Sequence, residues 1–250
     1  IRGIGIKKDE KLGLHYINAA AGQNYAPAQV FLGSLYFDGT ENIKKNHIMA
    51  ARYFKLAADQ GIKSAQNSIA FMLLNGDGIE RDEKLAMEYL KKSAEQGDAQ
   101  GQANYAKMLS ESQNDIKQAI EYFEKAAKNG SIDAFIGLAS IYSTGKGVQR
   151  DMKKALDYAK QASATGDPKG INIYGYYLEL NKEYEKAFAE YKKAADGGDV
   201  TAMGNIARLY QFGLGCNVDV KNSMKYFKMA ADKGDPNSAN SYAFLLQKGQ

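Results

Sequence analysis

The sequence predicts an all-α fold, an α/α solenoid of antiparallel helix pairs. Three observations predict it. One block of residues recurs seven times at intervals of 32 to 37 residues, the range of helical-pair repeats. Each copy carries a helix-stopping residue followed at once by helix-starting chemistry. Only three prolines, Pro27, Pro168 and Pro236, interrupt 250 residues, so helices are permitted throughout.

The block reads YFKLAADQGIKSA at 53–65, YLKKSAEQGDAQG at 89–101, YFEKAAKNGSIDA at 122–134, YAKQASATGDPKG at 158–170, YKKAADGGDVTA at 191–202 and YFKMAADKGDPNS at 226–238, with a looser copy, YINAAAGQNYAPA, at 16–28. The stopping residue is Asn24, Gly61, Gly97, Gly130, Gly166, Gly198 or Gly234. Glycine and asparagine tolerate the left-handed conformation that closes a helix. The next residue is Asp98, Asp167, Asp199, Asp235 or Ser131 in five copies, each a good N-cap. Pro168 and Pro236 follow at the first helical position, where a missing N–H costs nothing. One helix therefore stops and another starts within one or two residues, a tight hairpin.

The helix that starts there has small residues four positions past the stop (Ala28, Ala65, Gly101, Ala134, Gly170, Ala202, Ser238) and nine past it (Gly33, Ala70, Ala106, Ala139, Gly175, Ala207, Ala243). These let neighbouring helices approach closely. Around them stand apolar residues such as Leu32, Ile69, Met72, Leu138, Ile206 and Leu209, read as helix packing.

A loop follows. Four times it is Gly-x-Gly or a degenerate form: GTENIKKN (39–46), GDGIERD (76–82), GKGVQRD (145–151) and GLGCNVD (213–219). Asn46, Asp82, Asp151 and Asp219 then cap the second helix. Residues 110–115 and 179–183 lack the glycines and join the helices directly. GIGIKKD (3–9) reads as the same loop with Asp9 as the cap, and the other end stops inside an equivalent loop. The expectation is six full repeats in one solenoid over 1–250 with a half-repeat at each end, a piece of a longer array with possible further repeats on both sides.

With LGSLYFDGT…HIMAARYFKLAADQG and LASIYSTGKGVQRDMKKALDYAKQASATG on the page, the chain resembles the Sel-one-like repeat (SLR) family, a branch of the tetratricopeptide superfamily. The resemblance covers essentially the whole chain. It implies a right-handed superhelix whose concave wall is made by the first helix of each pair. It also implies an adaptor that brings proteins together. Some family members are secreted and carry a cysteine pair in every repeat. This chain has one cysteine, Cys216, which favours an intracellular or otherwise reducing setting.

Composition narrows the function. Net charge is +4 with mixed signs along the chain, no argument for nucleic acid. No run approaches the roughly 18 apolar residues of a membrane span, and no leader pattern opens the sequence. His15 and His47 lack a surrounding ligand cluster, so no metal or cofactor is expected. The Ser-x-x-Lys of STGK (143–146) falls on a Gly-x-Gly loop and lacks a Lys-Thr-Gly partner. No catalytic residue is assigned. Cys216 stands where the other loops carry an apolar residue and reads as a buried structural thiol. Lysines on the second helices (Lys91, Lys92, Lys153, Lys154, Lys192, Lys193, Lys225, Lys228) read as a solvated face.

In tetratricopeptide domains the middle of the first helix faces the groove. There this chain carries Asn67, Asn104, Asn172, Asn205 and Asn240, amides that can donate to and accept from an extended backbone. Packing between stacked helices is the alternative role for them. Beside them, at one repeat position, stand Phe71, Lys107, Tyr176, Arg208 and Phe244. Exposed aromatics there would be anchors. These ten residues are the expected peptide-binding set of a non-catalytic scaffold that takes an extended peptide or a partner helix. The alternative is a regulatory repeat segment of a larger enzyme or signalling protein.

Overall fold

A computed structural model describes residues 9–111 and 115–249. Among them are fourteen α-helices and no strand. The chain divides into two compact units, Ile1–Ala126 and Ala127–Gln250. The first holds α1 (Glu10–Gly22), α2 (Ala26–Asp38), α3 (His47–Asp59), α4 (Lys63–Asn75), α5 (Glu83–Glu95), α6 (Ala99–Glu111) and most of α7 (Ile116–Lys128). The second holds α8 (Ile132–Thr144), α9 (Met152–Ala164), α10 (Pro168–Leu180), α11 (Tyr184–Asp196), α12 (Val200–Phe212), α13 (Val220–Asp232) and α14 (Pro236–Gln247). Within each unit consecutive helices pack on one another, and α4 also touches α6 as α8 touches α10. First helices are therefore neighbours across a repeat.

The predicted turn is present in every copy. Asn24 lies at φ 65° and Gly61 at 88°, and the other five stopping glycines are also left-handed. At Gly61 the N–H donates to Ala58 O at 2.9 Å and the Ile62 N–H to Ala57 O at 3.2 Å, so two end carbonyls of α3 are satisfied by the turn itself. The N-caps are equally local: Asp98 accepts from Gly101 N at 2.7 Å, Asp199 from Ala202 N at 2.6 Å and Asp235 from Ser238 N at 2.7 Å. Second helices start on Asn46, Asp82, Asp151 and Asp219, each accepting the N–H three residues on. Asp9 caps α1 in the same way, while the rest of its loop, 3–8, lies outside the described residues. So does most of the 110–115 connection. The other glycine-free connection closes on Lys182, left-handed at φ 64°.

The second glycine of the Gly-x-Gly loop has a separate reason. A Cβ on Gly78 would lie 2.2 Å from the carbonyl of His47, the first residue of the preceding second helix, and one on Gly215 would lie 2.2 Å from the Tyr184 carbonyl. The loop thus rests backbone to backbone on its neighbour repeat. Asp77, between the two glycines, contacts His47 Nδ1, and the His47 ring stacks on Phe37.

The core is small residues against large ones. Ala50, Ala57, Ala65 and Ala70 are fully buried with Ile69, Met72 and Leu73 in the first unit, as are Ala187, Ala194, Ala202 and Ala207 with Ile206 and Leu209 in the second. A Cβ on Gly33 would sit 2.7 Å from the Phe54 ring. Second helices are amphipathic: α5 buries Ala86, Tyr89, Leu90, Ser93 and Ala94 and leaves Lys91 and Lys92 exposed. All eight lysines read as a solvated face are exposed, and Lys154 lies 4.8 Å over the Tyr142 ring.

In the first unit the residue five past the stop is a buried glutamine. Gln29, Gln66 and Gln102 each donate from Nε2 to a carbonyl of the helix just ended, Ala21, Ala58 and Ala94, at 3.3 Å. Gln60, at the end of α3, donates to Gln29 Oε1 at 2.6 Å, and Gln96, at the end of α5, donates to Gln66 Oε1 at 2.9 Å. In the second unit the corresponding buried residues are Phe135, Ile171 and Met203.

Candidate functional site

The ten expected contact residues lie on first helices, and eight of them, all but Asn67 and Asn172, line recesses within a unit. In the first unit, Phe71 on α4 and Asn104 and Lys107 on α6 line an open groove of about 880 Å³ with Leu74, Met87 and Met108. In the second, Tyr176 on α10 and Asn205 and Arg208 on α12 line a recess of about 310 Å³ with Glu179 and Tyr191. Asn240 and Phe244 line a third, of about 270 Å³, on α12 and α14.

The aromatics are open. Phe71 is 53% exposed, Tyr176 46% and Phe244 50%, while Ile69, Leu178 and Leu245 on the same helices are buried. Tyr176 meets the edge of Tyr177 at 5.3 Å, and the Lys248 ammonium lies 4.5 Å over the Phe244 ring. Apolar side chains left in water beside a groove cost solvation free energy that a partner would recover.

Four of the asparagines are paired across neighbouring first helices, the alternative role named above. Asn104 Nδ2 donates to Asn67 Oδ1 at 2.8 Å, and Asn205 Nδ2 donates to Asn172 Oδ1 at 3.1 Å. Gln100 Nε2 gives Asn104 Oδ1 a bond of 3.2 Å. Asn172 is buried, Asn67, Asn104 and Asn205 are half-buried, and Asn240 is exposed. The pairs form because neighbouring first helices bring position six past one stop against position seven past the next. An amide paired once retains a second N–H and a second lone pair, so pairing leaves capacity for a backbone.

The two cations differ. Lys107 is exposed, with Glu111 on its own helix at 3.9 Å. Arg208 Nη2 lies 2.6 Å from both carboxylate oxygens of Glu179 on α10. The fully buried Tyr191 hydroxyl donates to Glu179 Oε2 at 3.0 Å. Burial, and next the Glu179 charge, push the Tyr191 phenol far above its ordinary range, so it stays a donor. Nothing in the sequence pattern paired Glu179 with Arg208 or placed Met87 and Met108 in the groove.

Other chemistry is not assembled. Among the described residues no group of three His, Cys, Asp or Glu side chains could hold a metal ion. Ser143 Oγ donates to the Ser140 carbonyl at 3.0 Å, and Gly145 closes α8 in the left-handed conformation, so STGK is a helix end. Cys216 is half-buried, not buried as expected; its thiol reaches Leu209 O at 3.5 Å, and burial raises its pKa. No described helix is long and apolar enough to cross a membrane.

The Sel1 repeat model matches residues 1–25, 26–62, 63–98, 99–131, 134–167, 172–199 and 200–235. Every match ends one residue past a left-handed stop. The chain belongs to the Sel1 repeat family. Members of this family are typically protein-interaction scaffolds and generally non-catalytic. A protective antigen of uropathogenic Escherichia coli strains displaying an SLR fold is similar at 28% identity and TM-score 0.73; the match covers 94% of this chain and 52% of that one, so the chain spans about half its length. A Sel1 repeat protein from Oxalobacter formigenes is similar at 25% identity and TM-score 0.74, covering 88% of this chain and 93% of that one. An immunity protein from Pseudomonas aeruginosa shares the fold at 20% identity and TM-score 0.59, over 83% of this chain and 81% of that one. No curated protein matches the chain.

Proposed function

We propose that the chain is a non-catalytic scaffold that holds an extended segment or a helix of a partner protein along the face of its first helices. The observation that carries this reading is the exposure of Phe71, Tyr176 and Phe244 at one repeat position, on the face that also presents the asparagine amides. Aromatic anchors supply area at low entropic cost, and amides supply sequence-tolerant contact to a backbone.

A photo-activatable residue at position 71 should cross-link to a partner protein in a lysate of the cells the chain comes from. With that partner, Phe71→Ala and Tyr176→Ala should each weaken binding by about 1–2 kcal/mol at unchanged melting temperature. Asn104→Ala and Asn205→Ala should weaken it by about 0.5–1.5 kcal/mol. Loss of stability in the four variants with unchanged affinity would overturn the assignment of this face.

A further inference from the structure

The chain carries the same four-residue constellation twice. Asn67 and Phe71 on α4 face Asn104 and Lys107 on α6; Asn172 and Tyr176 on α10 face Asn205 and Arg208 on α12. In both, an asparagine and an aromatic four residues on meet an asparagine and a cation three residues on. The amide-to-amide hydrogen bond across the helices is present in each copy, at 2.8 and 3.1 Å.

What differs is the wall behind. The residue thirteen past the stop is Leu74 in the first copy and Glu179 in the second. Its neighbour on the second helix, four past the first buried alanine, is Leu90 in the first and Tyr191 in the second. In the second copy the Glu179 carboxylate therefore lies 2.6 Å from the Arg208 guanidinium and is steadied by the Tyr191 hydroxyl. In the first copy those two positions are apolar and hold no carboxylate against Lys107; the groove's own carboxylates are Glu83, which pairs with Arg81, and Glu111, while its cations are Arg81, Lys84 and Lys107, one more than the carboxylates. Lys107 has Glu111, one turn on along its own helix at the groove's edge and 3.9 Å away, a weak pairing for two exposed groups. Between the paired first helices about 880 Å³ is open in the first copy and about 310 Å³ in the second; the other side of Asn205 and Arg208 borders a separate recess of about 390 Å³ toward α14.

We infer that these are an open and a self-closed copy of one binding site, and that the open copy, between α4 and α6, takes a peptide segment in which an acidic side chain accompanies an apolar one. The ligand's carboxylate takes at Lys107 the place that Glu179 fills at Arg208. Its apolar side chain lies against Phe71, Leu74, Met87 and Met108. The chemistry of the occupant is thus read from the protein's own stand-in. The inference rests on the proposal that this face binds a partner.

The test uses the whole chain and an array of short peptides blocked at both ends, with Glu and Leu at every mutual spacing in a Gly-Ser background. Control peptides replace Glu by Gln or Leu by Ala. Fluorescence anisotropy should give one bound peptide per chain, with affinity falling about tenfold for either control and falling further as salt rises. Leu74→Glu, which installs the internal carboxylate, should reduce binding at least tenfold, while Leu74→Gln, equally polar but uncharged, should reduce it far less. Glu179→Leu combined with Tyr191→Phe should add a second site of similar affinity. Circular dichroism of each variant establishes that it is folded.

Equal binding of the Gln-substituted peptides, or no difference between Leu74→Glu and Leu74→Gln, would overturn the inference. So would an array in which nothing binds while position 71 still cross-links to a cellular partner; the scaffold reading would then stand alone. Absence of both array binding and cross-linking would remove the two together.

Discussion

The two units make the same turn and close it with opposite chemistry. In the first, the residue five past the stop is Gln29, Gln66 or Gln102, and the turn is threaded by amides. In the second it is Phe135, Ile171 or Met203, which fill the space with carbon, and an exposed Ala239 in the last copy. The residues closing the second helices follow suit: Gln23, Gln60 and Gln96 in the first unit, Thr165, Gly197 and Lys233 in the second. The backbone is indifferent, because its own turn hydrogen bonds satisfy the helix ends in both. A buried amide is tolerable only where both of its ends are met, and an apolar side chain needs only volume. The difference teaches that the repeat specifies a shape at this position, and that polarity must then be matched across two repeats. At Gln102 the match is incomplete: Nε2 has the Ala94 carbonyl, but Oε1 is buried with no partner among the described residues.

Exchanging the two chemistries should give the largest effect. Ile171→Gln places an amide in the second unit with no glutamine thirty residues on to meet its oxygen, and it removes buried carbon. It should cost about 2–4 kcal/mol in urea denaturation. The reverse exchange, Gln66→Met, removes a matched amide and keeps the volume. It leaves Gln96 able to turn to water and should cost under about 1.5 kcal/mol. Equal costs in the two directions would mean that position five accepts either chemistry locally and that the units do not differ in kind.

How much of this was legible follows from the range of each interaction. The stop, the cap and the following proline act over four or five residues, so Gly166, Asp167 and Pro168 announce their turn in order. The small residues four and nine past the stop were legible because each recurs at a fixed offset from it; five residues apart, they face different neighbours, the preceding helix at Gly101 and Gly170 and the following one at Gly33 and Gly175. The glutamines were not. In sequence Gln66 is one polar residue among KSAQNS, and its burial depends on the Ala58 carbonyl and on Gln96 in the next repeat. The candidate site divides along the same line. Phe71 and Tyr176 stood out because an aromatic on a face bordered by Asn and Lys has no core to enter, and both are exposed. The amide pairs and the Arg208–Glu179 bridge join residues 29 to 37 positions apart, with the offset set by how neighbouring first helices slide on one another. No local pattern encodes that offset.

A second exchange probes the feature the units share. Gly166 and Gly61 are both left-handed, at φ 81° and 88°, and a Cβ at either would meet nothing within 4 Å. Any cost of substitution is therefore backbone strain. Gly166→Val forces a β-branched residue into that region and should cost about 1–3 kcal/mol. Gly61→Asn should cost a few tenths, because Asn24 already holds the equivalent turn at φ 65°. Thermal melts that rank the Asn variant with the Val variant would show that the turn geometry differs between units after all.

The smallest effect comes from a polar group on the apolar side of the comparison. Second helices carry a fully buried alanine four residues past the cap at Ala50, Ala86, Ala119, Ala155 and Ala187; α1 has Gly13 there, and α13 has Ser223, also fully buried. The Ser223 N–H keeps its helical bond to Asp219 O at 2.9 Å, so the backbone is unaffected, but the hydroxyl has no partner among the described residues. Ser223→Ala relieves a stranded hydroxyl and improves helix propensity while leaving the volume nearly unchanged. It should stabilise the chain by about 0.5–1.5 kcal/mol, read as a raised urea midpoint at unchanged slope. Ala86→Ser, the reverse change in the first unit, should destabilise by a similar amount, since the glutamine network lies at the other end of α5 and offers that hydroxyl nothing. A stabilising Ala86→Ser would show that the first unit's tolerance of buried polarity extends along the whole second helix. A destabilising Ser223→Ala would show that the hydroxyl is bonded in solution and that α13 departs from the other second helices by design of its packing.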